Sequence, residues 1–116
     1  MAMSKTIEEK QRTVCAQYGR EFVACSPESK VGLAIETLGS KLINGLRHPP
    51  TDATNGWFIW GGEYSSSPDF FSPLHTSHLE ERLPQVIDFL GLPPGSRFVL
   101  ADDYVYVWFD ELLLNV

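Results

Sequence analysis

The chain has 116 residues, 43% of them hydrophobic, so it has the size of one domain and can bury roughly two-thirds of its unfolded surface. Its formal net charge of −6 argues against nucleic-acid binding, because proteins that bind phosphates need clustered Lys and Arg. No stretch approaches the roughly 18 apolar residues of a membrane span, and the N-terminus lacks a signal-peptide pattern. We therefore expect a cytoplasmic protein that does not bind membranes.

The charge is distributed unevenly along the chain. Residues 1–57 contain seven Lys or Arg and six Asp or Glu, giving +1, whereas residues 58–116 contain two and nine, giving −7. Two interpretations stay open: the acidic second half keeps the protein soluble, or it steers the protein toward a basic partner.

The first predicted element is an amphipathic helix over residues 6–18. Thr6 and Glu9 have the spacing of a capping box, and Gly19 can supply a left-handed C-terminal cap. Apolar residues at helical spacing line one side, namely Ile7, Val14, Cys15 and Tyr18. This periodicity indicates that the helix lies on a core.

Three strands are predicted in the middle of the chain. Residues 31–35 alternate between apolar and small or polar side chains, and residues 42–47 are predicted as a second strand that is closed by His48, Pro49 and Pro50. After the Asn55-Gly56 turn, a strand over residues 57–60 is apolar on both sides: Trp57 and Ile59 face one way, and Phe58 and Trp60 the other. A strand of that kind is expected in the centre of a sheet or under a cover.

The second half predicts one more helix and a hairpin. An exposed connection, Ser65 to Pro68, comes first. A capping box at Ser77 then opens a helical stripe that ends at Gly91 and that Pro84 should kink or break. The hairpin spans about residues 97–109 and turns at Asp102 and Asp103. Together these elements predict a single α+β domain over residues 1–116, with a mostly antiparallel sheet of about five strands and two helices packed on it.

The histidines and cysteines are the candidates for chemistry in this chain. His75 and His78, with Asp69 or Glu63 nearby in sequence, could serve a hydrolase, but no credible nucleophile accompanies them. Their spacing is also weak support for a metal site, so we expect neither metal nor cofactor. Cys15 and Cys25 have nine residues between them, which fits neither a redox pair nor a zinc site and predicts reduced, buried thiols.

Aromatic residues are concentrated in one region: Trp57, Phe58, Trp60, Tyr64, Phe70 and Phe71. Most of them should belong to the core. The segment from Tyr64 to Phe71 also carries Asp69 and follows Glu63, and aromatic side chains beside acidic groups suit the binding of a basic protein partner. Asp102 and Asp103 could extend such a surface.

Several motifs together resemble one family. They are Gly45 to Pro50, Asp52, Asn55-Gly56-Trp57, Gly61-Gly62-Glu63, Asp69 and Leu92 to Phe98. This pattern, over roughly residues 31–100, resembles the immunity protein 33 domain family of bacterial polymorphic toxin systems. The resemblance implies a small cytoplasmic α+β protein that binds and neutralises a cognate toxin and has no catalytic residues. A basic toxin, such as a nuclease, would be attracted by the acidic second half.

The leading hypothesis is a non-enzymatic binding module of the immunity type. Its predicted partner-binding residues are Glu63, Tyr64, Asp69, Phe70, Phe71, Asp102 and Asp103. The first alternative is a small hydrolase or ligand-binding enzyme that uses His75 and His78. The second is a homodimeric structural or regulatory protein with its interface along Tyr104–Phe109, because a bare apolar edge strand invites association.

Overall fold

The computed structural model describes residues 2–115, with side chains from residue 7 onward. It confirms the predicted α+β class. Helix α1 spans Ala2–Gln17 and a short helix α2 spans Leu79–Arg82. The six strands are β1 (Lys30–Leu33), β2 (Ile43–Arg47), β3 (Trp57–Gly61), β4 (Ser72–His75), β5 (Ser96–Ala101) and β6 (Tyr104–Phe109). Turns of 3₁₀ helix lie at Ile35–Thr37, Thr76–His78, Pro84–Phe89 and Glu111–Leu114.

The six strands form one sheet in the order β4-β1-β3-β2-β5-β6. Only β1 and β3 run parallel, and the other four neighbouring pairs are antiparallel. The prediction of about five strands missed β4, in which Val31 pairs with Leu74 and Gly32 with Pro73. Such a short strand with a proline gives almost no period-two signal, and its place at the edge is where proline is tolerated in a sheet.

Both predicted helices differ from expectation at their ends. Helix α1 begins at Ala2, before the predicted start at Thr6, since the residues ahead include good helix formers. The predicted capping box at Ser77 is wrong: Ser77 lies in a 3₁₀ turn, and helix α2 has no side-chain cap. The predicted break at Pro84 is confirmed, because the chain changes there to the 3₁₀ segment Pro84–Phe89.

One face of the sheet packs against the helical segments and forms the core. The buried apolar residues of this cluster are Cys15, Val31, Leu33, Ile43, Trp57, Ile59, Leu79, Leu83, Val86, Ile87, Leu90, Leu92, Phe98 and Leu100. Strand β3 is interior, as predicted: Trp57 and Ile59 are fully buried on the core face, and Trp60 is 5% exposed on the other. No helix among residues 2–115 has the length and apolarity to cross a bilayer.

The strand register places the loops at two opposite ends of the sheet. Ile43 pairs with both Gly61 and Leu100, and Leu100 also pairs with Val105, so these residues lie in a row at one end. Arg47 pairs with Trp57 at the other end. The parallel strand β1 leaves the sheet at the first end, because Leu33 pairs with Ile59.

Candidate functional site

Arg47 is an almost completely buried cation. Its side chain is 2% exposed and lies in the interior at the end of β2. Nη1 donates to the carbonyl oxygens of Val23 and Leu92, each at 2.8 Å, and Nε donates to the carbonyl oxygen of Asn55 at 3.1 Å. Burial lowers the pKa of Arg47 from its ordinary value. With three main-chain carbonyls as acceptors, the guanidinium links three separate segments of the chain.

Asn55 and Trp57 link further segments beside it. Asn55 Nδ2 donates to the hydroxyls of Ser29 and Thr76, each at 3.0 Å, and Asn55 Oδ1 accepts the N–H of Trp57 at 3.1 Å. The indole N–H of Trp57 donates to the carbonyl oxygen of Leu90 at 3.0 Å. We call Arg47, Asn55, Trp57 and these partners the buried polar network. Its hydrogen bonds replace those that the buried groups would make with water.

Gly56, between Asn55 and Trp57, is required by its backbone. Its φ is +99°, a region that residues with a Cβ rarely adopt. The carbonyl oxygen of Gly56 accepts the N–H of His48 at 2.8 Å, and a Cβ at Gly56 would overlap the carbonyl oxygen of His48. Motif residues Arg47, Asn55, Gly56 and Trp57 therefore hold the fold together and offer little to a ligand.

The predicted partner-binding carboxylates lie at the opposite end of the sheet. Glu63 and Asp69 are exposed in the loop after β3, and Asp102 and Asp103 are exposed in the turn between β5 and β6. The Gly61 end of β3 and the Leu100 end of β5 are separated by β2 alone, which is about 10 Å at ordinary strand spacing. The structure therefore brings these four carboxylates to one end of the molecule.

Sequence reasoning missed a fifth carboxylate, Glu36. It is exposed in the 3₁₀ turn that follows β1, and the parallel pairing of β1 with β3 places that turn at the same end. The connection after β1, the loop after β3 and the turn between β5 and β6 together contain one amine, that of Lys41. In the described part of the chain, ion pairs form only at Arg12–Glu8 and Arg97–Asp110. We call Glu36, Glu63, Asp69, Asp102 and Asp103 the acidic end.

Five of the six aromatic residues of this region form one contiguous cluster, whereas Trp57 packs against Phe98 in the core. Tyr64 lies 5.4 Å from Trp60 and 5.7 Å from Phe70 between ring centroids, and Phe70 lies 4.8 Å from Phe71. Phe71 in turn packs edge-on against Phe58 at 5.2 Å. Tyr64 is 61% exposed, whereas Phe70 and Phe71 are half-buried. The phenylalanines thus cover the sheet, and Tyr64 presents the accessible ring.

Two clefts are lined by residues of the acidic end, and only the first also touches the aromatic cluster, through Phe70. A cleft of about 460 Å³ is lined by Glu36, Asp69 and Phe70, among others. A second, of about 410 Å³, is lined by Lys41, Asp102 and Val105. The acidic end is therefore grooved, a shape that can receive protruding side chains of a partner.

The histidines of the hydrolase hypothesis approach each other on the surface. The rings of His75 and His78 are 5.7 Å apart between centroids, and both residues are exposed. The neighbouring cleft is lined by Thr76 and Ser77 but by neither imidazole. Within residues 7–115, neither ring makes a hydrogen bond to a hydroxyl or thiol, and no group of three or more His, Cys, Asp or Glu could hold a metal ion.

The two cysteines are free thiols, as predicted. Cys15 is buried and Cys25 half-buried, and their Sγ atoms donate to the carbonyl oxygens of Gly91 and Leu90, each at 3.3 Å. Burial raises the pKa of both thiols above the ordinary value. Both are therefore protonated and unreactive at neutral pH.

Comparison with known proteins gives one match. The family described as "Imm33-like domain" matches residues 10–110, a wider span than the motifs at residues 31–100, since it takes in the second half of α1 and all six strands. No curated protein and no solved structure matches the chain. Because the match covers most of the 116 residues, this protein belongs to the Imm33-like domain family.

Proposed function

We propose that this protein is a non-enzymatic immunity protein that binds and neutralises a cognate toxin in the cytoplasm, with the acidic end as its contact surface. Membership of the Imm33-like family supports the immunity role. The observation that carries the choice of surface is the placement of five exposed carboxylates, from three loops, at the end of the sheet where Tyr64 exposes its ring.

The acidic end suits a basic partner on electrostatic grounds. The loops at this end contain five carboxylates but only one amine, that of Lys41. None of the five carboxylates forms an ion pair within the described residues. Unpaired surface carboxylates add little to stability, but their summed field accelerates encounters with a positively charged surface. The active site of a nuclease is a surface of that kind, because it must accept a phosphate backbone.

Tyr64 supplies the apolar part of the contact. Its ring is mostly exposed and rests edge-on against Trp60, which is itself 5% exposed and fixed in the sheet. A tyrosine held in place by packing loses little conformational freedom on binding, and tyrosines are enriched among residues that dominate interface energies. We therefore expect Tyr64 to lie near the centre of the interface.

The surface is tested with the toxin candidate encoded beside the gene. The double variant Glu63→Lys and Asp69→Lys should slow association at least about tenfold, while the free energy of unfolding changes by less than about 0.5 kcal/mol per site. The matched control is Glu9→Lys with Glu81→Lys, which makes the same change in net charge at two exposed positions elsewhere. Equal slowing in both double variants would reject the acidic end as the contact surface.

The mode of action is tested by titration. A non-enzymatic inhibitor abolishes toxin activity at a fixed stoichiometric ratio, whereas an enzyme would inactivate excess toxin over time. Replacing both His75 and His78 by Ala should leave neutralisation unchanged. Turnover that disappears in this histidine variant would replace the immunity proposal with the hydrolase hypothesis.

A further inference from the structure

Strand β6 forms one edge of the sheet. It pairs with β5 on one side and with no other strand among residues 2–115. The opposite edge, β4, is four residues long and contains Pro73, features that discourage further pairing. Strand β6 has six residues, Tyr104–Phe109, and none of them is charged or proline. It therefore lacks the charged residues and prolines that normally prevent an edge strand from pairing with another chain.

The hydrogen-bond pattern identifies which backbone groups point outward. The N–H of Asp110 donates to the carbonyl oxygen of Gly95 at 2.7 Å, so residue 110 directs its backbone toward β5. Because this direction alternates along an antiparallel pair, Tyr104, Tyr106 and Trp108 also bond to β5. The remaining three residues, Val105, Val107 and Phe109, present their N–H and C=O groups to the free edge.

The side chains along this edge form a surface for a neighbouring strand. Tyr104, Val105 and Tyr106 are each about half exposed, at 51%, 52% and 51%. The rings of Tyr106 and Trp108 stack with centroids 4.8 Å apart on the sheet face opposite Val105 and Val107. Cross-strand pairs with aromatic and β-branched residues are among the most stabilising in sheets.

The charges at the two ends of β6 decide what can pair with it. Asp102 and Asp103 precede the strand, and Asp110 and Glu111 follow it. Only Asp110 has a cationic partner within the described residues, Arg97 at 3.1 Å. In an antiparallel pair with a second copy, carboxylates at the start of one strand would face carboxylates at the end of the other. Like charges in that position are destabilising, so self-pairing is disfavoured.

We propose that the free edge of β6 binds an extended segment of the toxin by strand addition, and that basic residues flank this segment at both ends. The inference rests on the proposed function, because the partner is the same toxin. Asp102 and Asp103 belong to both surfaces, so a toxin on the acidic end has a continuous path to β6. Main-chain hydrogen bonds would supply affinity, and the flanking charges would set the register.

The test removes one outward N–H and leaves the bonds to β5 in place. Val105→Pro lacks the N–H, and its ring obstructs an added strand, whereas Val105→Thr keeps the N–H and the β-branched shape. For the toxin encoded beside the gene, Val105→Pro should raise Kd at least about tenfold relative to Val105→Thr. Circular dichroism of both variants checks that each is folded.

Amide hydrogen exchange of the wild-type chain provides a readout that does not depend on a variant. The amides of Val105, Val107 and Phe109 should exchange fast in the free protein and become protected in the complex. Those of Tyr104, Tyr106 and Trp108 should be protected in both states.

The outcomes separate this inference from the proposed function. If the toxin binds but the three outward amides stay unprotected, or if both variants bind equally, strand addition is rejected and the immunity role stands. If the wild-type chain does not bind the toxin, both are rejected. Protection of the same amides in the protein alone, rising with its concentration, would show that a second copy occupies the edge and would also overturn the proposal.

Discussion

A charged side chain is buried at one end of the sheet, whereas several charged side chains are exposed at the other. In the buried polar network, the Arg47 cation is enclosed, and its hydrogen bonds go to carbonyl groups of the chain itself. At the acidic end, five carboxylates are exposed and have no cationic partner in the described structure. Buried polar groups with internal partners fix a fold, whereas exposed charges without partners are available to another molecule. The molecule thus separates its structural end from its proposed binding end.

Arg47→Met is expected to have the largest effect. The substitution leaves the carbonyl oxygens of Val23, Leu92 and Asn55 without their donor in the interior, and each unsatisfied group costs about 1–3 kcal/mol. We expect the free energy of unfolding, measured with urea, to fall by about 4 kcal/mol or more. The binding of toxin by whatever fraction stays folded should be unchanged.

Arg97→Met is the control for this prediction. The Arg97 side chain is 29% exposed and pairs with Asp110 at 3.1 Å, so its loss should cost about 1 kcal/mol or less. If the two arginine variants were equally destabilised, Arg47 would not have the linking role that the geometry gives it.

Gly56→Ala should be the next most severe change. The substitution forces a side chain into a positive φ and drives its Cβ against the carbonyl oxygen of His48, for an expected loss of about 3 kcal/mol. Gly39 is the matched control, because a Cβ there meets nothing within 4 Å. Thermal unfolding of the two alanine variants should therefore differ by several degrees. Similar unfolding midpoints would indicate that the backbone at Gly56 adjusts to a side chain with little loss of stability.

Tyr64→Ala tests the proposed binding end with little effect on stability. Because the ring is exposed and rests on Trp60, truncation should weaken toxin binding by about 2 kcal/mol, mainly through faster dissociation. Tyr64→Phe keeps the ring and serves as the control, with an affinity near that of the wild type. Surface plasmon resonance gives both rate constants, and an unchanged dissociation rate in the alanine variant would remove Tyr64 from the interface.

The smallest expected effect is a fall in the free energy of unfolding at alkaline pH, caused by the two cysteines. Burial raises the pKa of Cys15 and Cys25 above 9.0, the ordinary value, so the folded chain holds these protons at a pH where the unfolded chain loses them. Their contribution to stability is fully present below pH 9.0 and falls as the pH rises above it. Urea unfolding against pH should show this decline, and Cys15→Ala with Cys25→Ala should reduce it. An identical decline in the double variant would assign it to other groups.

Local patterns in the sequence predicted the fold where the signal is local. Period-two alternation predicted β1, the prolines after residue 47 marked the end of β2, and the apolar run after Gly56 predicted β3. The hairpin pattern predicted β5 and β6, and Pro84 predicted the break in the second helical segment. The sequence did not predict β4, because this strand has only four residues and includes a proline. It is a strand because it pairs with β1. Pairing partners are a property of the tertiary structure and leave little trace in local composition.

The same distinction applies to the candidate site. Glu63, Tyr64, Asp69, Phe70 and Phe71 are close in sequence, so their proximity in the fold could be predicted. Glu36 reaches the same end of the sheet only because β1 runs parallel to β3, and no local pattern reports that direction. The inward orientation of Arg47 was equally hidden, since an isolated arginine in a strand usually lies on the surface.

The position of β2 in the sheet has a consequence for synthesis of the chain. This strand lies between β3 and β5, and Leu46 pairs with Arg97, a residue that the ribosome adds long after β2. A nascent chain ending before Ser96 leaves β2 with one open side, and such long-range pairing is slow to form. We expect ribosome-bound chains of that length to be digested in pulse proteolysis while the released protein resists. Resistance of the shorter chains would show that the first four strands fold without β5. If β5 is needed first, a newly made chain would acquire its proposed contact surface only after that strand has left the ribosome.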